Sequence, residues 1–470
     1  MDTEYPNVTA SPPSEPKRKT GEAIVLVILI VLSLWANFVL RDRQSNSASK
    51  AVAIVRETDL ELADALAFLP ESGTVSGPAW QKAEAGYRRA LERKPDMPRA
   101  LRSLSSVLFL QGKGDAATKV MRRKADLSAD GRDAWYATQI AFGAKKRPSN
   151  AAEMDRMNRA LDNKKLGWTR FVAREALAPT ARDKRLIRAE LSESISMRNS
   201  SSAVLAGFAV LVLIPLGFVA LAWYHRNAHR YPPWQTTVPG GFLIACFGMF
   251  FLTMYLPTVA AGAFASDVIK NSSPVMKVAI SLSLMLVGGG GALVLLHRAI
   301  RNSGIAETVI RWRVPLWPVW GIGGYLALVP ILLASAAVAG LLQRLLPDVR
   351  TPMNPAADLA VGVSGWALIL VVLLVCVVVP LLEEVLFRGL LFPALSRRYG
   401  VTGGMIVSSV VFAGLHPQLP FGFLPILAIG ICLCYLYRAS GSLLACVIAH
   451  GLNNGFAMVG SYLALSAIRL

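Results

Sequence analysis

The chain has 470 residues, 54% of them hydrophobic and 17% charged, with a formal net charge of +19. That composition excludes a disordered protein and makes a polytopic membrane protein the leading class. The positive charge sits in one polar block and beside apolar spans, where it sets topology, and no nucleic-acid motif accompanies it, so nucleic acid is not expected as a partner. All five cysteines (Cys246, Cys376, Cys432, Cys434, Cys446) fall in apolar segments, which excludes a disulfide framework and leaves them as small buried hydrophobes.

In chain order, residues 1–22 read as a flexible tail ending in basic residues (Lys17-Arg18-Lys19). Residues 23–40 are an apolar run bounded by Arg41 and Arg43. A cleaved signal has an apolar region of about 7–15 residues, so this longer run is expected to be an uncleaved signal-anchor helix. Residues 42–200 form the sizeable polar domain, with apolar residues at helical spacing. Within it, Ala83-x3-Tyr87-x2-Ala90-Leu91-x3-Pro95 resembles the second helix of a tetratricopeptide repeat, and Leu101, Leu104, Leu108, Gly112 and Ala117 follow near the positions of a next unit. Repeats normally come in threes and barely two are visible, so an unrelated helical bundle stays open as the alternative.

The remainder is apolar, with transmembrane helices over 203–345 and a second membrane core over 360–470. Candidate spans are 203–224, 241–263, 279–296, 319–342, 363–382, 401–415, 421–437 and 443–465. Counting the anchor, the expected fold is all-α: a polytopic bundle of about nine transmembrane helices with an N-terminal soluble helical, tetratricopeptide-like domain. Gly288–Gly291, inside one span, allow close helix contact rather than phosphate binding, since no P-loop lysine follows. Arginines at 226 and 230, at 298, 301, 311 and 313, at 397 and 398, and at 438 mark alternate loops as cytoplasmic. The N-terminus is then cytoplasmic, the 42–200 domain faces outward, and a bacterial inner membrane is the expected location. The 304–317 stretch, with Trp312 and Trp317, reads as an interfacial segment.

The most informative residues are the adjacent acids Glu383 and Glu384, which follow the apolar run 369–382. A charge near the bilayer centre costs roughly 2.5–3.5 kcal/mol, so a pair there needs partners or a task. On a helix, positions four apart share a face, which makes neighbours of Glu384 and Arg388, of Phe412 and His416, and of His450 and Asn454. Glu384–Arg388 is the natural ion pair. Glu383, about 100° around the helix, is left without a local cation and suits the removal of a proton from water. Pro380 kinks the helix beside it and makes room for that water. His416 is placed to hold the same water. His450 and Asn454, rather than Asn453, are placed to donate hydrogen bonds to an oxyanion. Glu384 and Arg388 are expected to orient Glu383 rather than react.

Glu383-Glu384-x3-Arg388-x3-Phe392, Phe412-x3-His416 and His450-x3-Asn454, with Gly441-Ser442 upstream of the last, resemble the CAAX prenyl endopeptidase and bacteriocin-processing family of intramembrane proteases. The resemblance covers residues 360–460. It implies a helical core with an internal cavity open to the bilayer. It also implies that Glu383 and His416 activate water while His450 and Asn454 hold the oxyanion, with Glu384, Arg388 and Phe412 in support. The substrate would be a membrane-associated protein or peptide, and the lipid bilayer a constant partner. Residues 42–200 are a candidate surface for a further protein partner. The family is often labelled metalloendopeptidase, and Glu384, His416 and His450 are the candidate ligands if zinc is used. The His-Glu-x-x-His pair is missing and Arg388 disfavours a dication, so the preferred reading needs no cofactor. Two other classes stay open: a non-catalytic membrane scaffold or immunity-type binding protein, and a proton-coupled transporter.

Overall fold

A computed structural model describes residues 77–127, 131–162, 166–193, 209–227, 238–265, 272–305, 309–312, 314–346, 365–416 and 418–466, together with isolated positions at 51–59, 268, 269, 359 and 363. The tail and the signal anchor expected over 1–40 lie outside the described residues. Every regular element among the described residues is helical. The chain divides into two compact units, one holding residues 39–209 and the other residues 210–458.

The first unit contains α1 (Gly77–Arg93), α2 (Pro98–Leu110), α3 (Gly114–Met121), α4 (Arg132–Ala141), α5 (Ala151–Leu161), α6 (Thr169–Leu177) and α7 (181–193). Their helical-period apolar residues meet in one core, including Tyr87, Leu101, Leu104, Leu108, Ala117 and Met121. Pro98 opens α2, where a missing N–H costs nothing. Asn150 caps α5 by accepting from the Ala152 N–H. Helix α6 packs back on α2, α4 and α5. A stack of repeats, in which each unit touches only its neighbours, has no such return.

The second unit contains α8 (Ile214–Asn227), α9 (Gly240–Phe264), α10 (Pro274–Asn302), α11 (Trp317–Leu345), the helical run α12 (Trp366–Gly414), α13 (Phe423–Ser440) and α14 (Leu443–Ser466). Six helices among the described residues are long and apolar enough to cross a membrane, and Leu211–Tyr224 is a shorter apolar one. Large apolar side chains such as Phe218, Leu256, Val287 and Ile369 stand exposed on these helices, as a lipid-facing surface requires. Helix pairs approach closely where side chains are absent. A Cβ on Gly288 would stand 2.4 Å from the Met254 carbonyl oxygen, and one on Gly289 would stand 2.3 Å from the Leu382 side chain.

The sequence suggested separate spans over 363–382 and 401–415; the structure joins them in one 49-residue run. At about 1.5 Å per residue such a run exceeds twice the ~30 Å hydrocarbon thickness, so it must fold back. It does so at Gly400, whose φ of 73° and ψ of 167° only glycine adopts without strain. Gly404 then abuts Ser396, and the Phe412 ring lies 5.0 Å from that of Phe387, as in an antiparallel hairpin of two arms. Helix α13 runs along the second arm, with Gly430 against Ser409. That register sets Arg438 level with Arg397 and Arg398 at the hairpin tip.

Candidate active site

The first arm of α12 is not a plain α-helix. Leu374–Val378 form a wide π-type turn, closed by the Val379 N–H on the Leu374 carbonyl. Val379–Glu384 return to α geometry, and Val385–Leu391 widen again. Glu383 and Glu384 occupy the narrow stretch between two such bulges, which inside helices are frequent at functional sites.

Glu384 and Arg388 are fully buried, and Arg388 donates to Glu384 Oε1 at 2.8 Å. The guanidinium also donates to the Gly430 carbonyl of α13 at 3.3 Å and lies 4.6 Å from the centre of the Phe412 ring. The same Glu384 oxygen meets His450 Nδ1 at 2.7 Å. Glu384 and Arg388 were expected to orient Glu383; the Glu384 carboxylate also holds His450, on α14, while Arg388 bonds Glu384 and the Gly430 carbonyl. The reason is rotational, because adjacent residues on a helix point about 100° apart.

Glu383 is the part-exposed member of the acid pair: its side chain retains 14% exposure against none for Glu384. Its Oε2 stands 3.8 Å from His450 Nε2, and it is within electrostatic reach of His416. His416, in the turn after the second arm, hydrogen-bonds through Nδ1 to the Phe412 carbonyl at 2.7 Å. A carbonyl only accepts, so Nδ1 carries the proton and Nε2 is the remaining nitrogen. Both imidazoles flank the Phe412 ring, His416 at 4.6 Å and His450 at 5.9 Å. Asn454, one turn after His450, donates from Nδ2 to the Val375 carbonyl at 3.1 Å and accepts from Asn453 at 3.4 Å. Burial divides the set: Glu384, Arg388, Phe412 and His450 are enclosed, whereas Glu383, His416 and Asn454 are half-buried.

Three contributors were not read from sequence. The Tyr255 phenol of α9 is within electrostatic reach of Glu383; nothing in its surroundings separates it from an ordinary membrane-interface aromatic. The carbonyls of Gly430 and Val375 act through backbone, which residue type does not reveal.

Zinc was weighed on Glu384, His416 and His450. Among the described residues no group of three or more His, Cys, Asp or Glu side chains is placed to share an ion. The Glu384 oxygen that faces His450 is already held by Arg388.

Residues 365–456 match the family model described as Type II CAAX prenyl endopeptidase Rce1-like. The Rce1-like segment begins at the foot of α12 and ends within α14, so it contains Glu383, Glu384, Arg388, Phe412, His416, His450 and Asn454. The six long apolar helices mark an integral membrane protein, and within it the 365–456 segment is similar to that protease family. No curated protein and no solved structure matches the chain.

Proposed function

We propose that the membrane unit is an intramembrane endopeptidase of the CAAX-processing type, acting on a membrane-associated protein or peptide through a glutamate-activated water. One observation carries the reading. Glu383 is a half-buried carboxylate left outside the Arg388–Glu384 ion pair, facing His450 Nε2 at 3.8 Å and near enough to His416 for their charges to interact. The enclosed pair beside it supplies a fixed electrostatic frame.

In this mechanism a water lies between Glu383 and His416 Nε2. Glu383 takes one proton while the water oxygen attacks the scissile carbonyl carbon. The carbonyl oxygen becomes an oxyanion, which protonated His450 (through Nε2) and Asn454 (through Nδ2) stabilise by donating hydrogen bonds. Glu384 holds the other His450 nitrogen and so fixes the ring. The proton on Glu383 passes to the leaving nitrogen as the C–N bond breaks, releasing an acid and an amine. No metal is required for any step. The placement of Arg397, Arg398 and Arg438 near the hairpin tip supports a cytoplasmic face there; a cytoplasmic N-terminus and a bacterial inner membrane are part of the same proposal. The helical 42–200 domain would recruit a protein partner or the substrate itself.

The test is cleavage by the full chain in lipid nanodiscs. The probes are an internally quenched farnesylated peptide ending in a CAAX-type sequence and its unprenylated counterpart, with products weighed by mass spectrometry. Cleavage of either that vanishes in Glu383→Gln supports the proposal. Equal cleavage by Glu383→Gln and wild type would overturn it. A folded wild type that cleaves neither probe would return the chain to the scaffold class.

A further inference from the structure

The segment before the two glutamates contains a break that the mechanism above does not use. In a helix the N–H of residue 380 would bond the carbonyl of residue 376 in α register, or of residue 375 in π register. Position 380 is proline, which has no N–H. The preceding turn is already π-type, with the Val379 N–H on the Leu374 carbonyl. Continued in that π register, the missing donor is the one the Val375 carbonyl would have taken; in α register it is the one the Cys376 carbonyl would have taken. Both face α14. Val375 accepts the Asn454 Nδ2 hydrogen bond at 3.1 Å. The Cys376 oxygen meets Gly451, where an added Cβ would stand only 2.2 Å away. Bilayer helices satisfy carbonyls freed by proline through neighbouring helices and side chains.

We infer that Pro380 is a positioning residue for Asn454: by withholding a backbone donor it leaves the Val375 carbonyl to grip the Asn454 amide. An asparagine amide has two N–H groups and can pivot. With one bound to Val375 and Oδ1 accepting from Asn453, the other N–H is held in one direction. His450 is likewise fixed one turn earlier, by Glu384. Helix α14 is thus pinned to the first arm of α12 at two points four residues apart, and both pins orient groups assigned to the oxyanion. Gly451 lies between them and permits the approach. The catalytic consequence rests on the proposed peptidase reading; the grip itself does not.

The experiment pairs two readouts on the full chain. The first is the side-chain NH2 signal of Asn454 in 15N-asparagine-labelled protein, assigned by its loss in Asn454→Ala. The wild type should give two well-separated proton shifts, one of them slow to exchange. In Pro380→Ala, where the rung can close, the pair should move to the narrower splitting of an unbound amide, and both protons should exchange rapidly. The second readout is kinetics on whichever probe peptide is cleaved. Pro380→Ala should lower kcat by about tenfold with KM changed less than about twofold, a part of the ~10²–10³ loss expected when an oxyanion donor is removed outright. It should cost nothing further in an Asn454→Ala background, since the two changes act on one interaction. Gly451→Ala, whose methyl would push α14 off the Cys376 carbonyl, should reproduce both effects and serves if Pro380→Ala fails to fold.

An unchanged Asn454 signal in Pro380→Ala would refute the grip. Loss of the grip with kcat unaltered would refute its catalytic role. If the wild type cleaves nothing while the signal responds as expected, the peptidase reading fails and the positioning of Asn454 stands.

Discussion

Each unit of this protein buries a carboxylate, and the two are treated differently. In the helical unit, Asp59 is 1% exposed and both its oxygens are engaged. Oδ1 accepts from the Tyr87 hydroxyl, and Oδ2 takes Arg99 at 2.6 Å. Arg99 remains 42% exposed, so that pair reaches water. In the membrane unit the Arg388–Glu384 pair is closed off entirely, and Glu384 Oε2 and Arg388 Nε are buried without partners. Beside it Glu383 is left half-open and outside the pair. A saturated carboxylate ties helices together; Glu383, held beside a fixed ion pair with only the longer 3.8 Å approach of His450, is the acid the proposed mechanism uses. The contrast separates structural from reactive acids more clearly than burial alone.

The largest effect that would sharpen this contrast is at Glu383. Glu383→Gln should lower peptide cleavage by roughly 10²–10⁴-fold, the range general-base catalysis supplies, with an unchanged melting profile. The matching change in the other unit, Asp59→Asn, should leave cleavage within about twofold, since a tie between helices contributes no proton transfer.

Next comes the enclosed pair. Arg388→Ala strands a buried carboxylate and should destabilise the membrane unit by about 3–5 kcal/mol, measured by denaturant unfolding in detergent. Arg388→Lys should not rescue it, because a single ammonium cannot reach Glu384, the Gly430 carbonyl and the Phe412 ring face together. Full stability in Arg388→Ala would break the comparison. Asn454→Ala should lower kcat by about 10²-fold while KM stays near its wild-type value, as for loss of an oxyanion donor.

The smallest effect is a pH slope in the helical unit. Burial raises the Asp59 carboxyl above its ordinary value of 3.8, outweighing the pull of Arg99. Folded protein then binds the proton more tightly than unfolded protein. Asp59 therefore lowers stability as pH rises from 3.8 through its raised folded value, and the loss persists above that. Asp59→Asn should remove that part of the slope, read from hydrogen exchange of α1 and α2 at several pH values. A slope unchanged by the substitution would show that another group carries it.

Much of the membrane unit could be read from hydropathy. The expected spans at 241–263, 279–296, 319–342, 421–437 and 443–465 each fall within a few residues of a helix. The two spans that became one run show where hydropathy misleads. Residues 383–399 hold Glu383, Glu384, Arg388, Arg397 and Arg398, which depress the local average and interrupt the apolar span. In the structure they stay helical, Arg388 and Glu384 neutralise each other inside the helix, and the reversal waits for Gly400. The tetratricopeptide pattern around Tyr87 captured real buried positions, yet the same small and apolar residues serve a bundle in which α6 folds back. Local pattern cannot distinguish the two, because it carries no information on which distant helix returns.

The sequence alone determined what depends on the helical period: the Glu384–Arg388 pair, the shared face of His450 and Asn454, and the isolation of Glu383 from any cation nearby in the chain. Tertiary structure decided what depends on how helices rotate and slide against one another. Glu384 reaches His450, 66 positions away, and Asn454 reaches a backbone carbonyl on another helix. Side-chain spacing fixes an angle around one axis. It cannot fix the rotation and offset between two axes, and those set every distance between helices in this site.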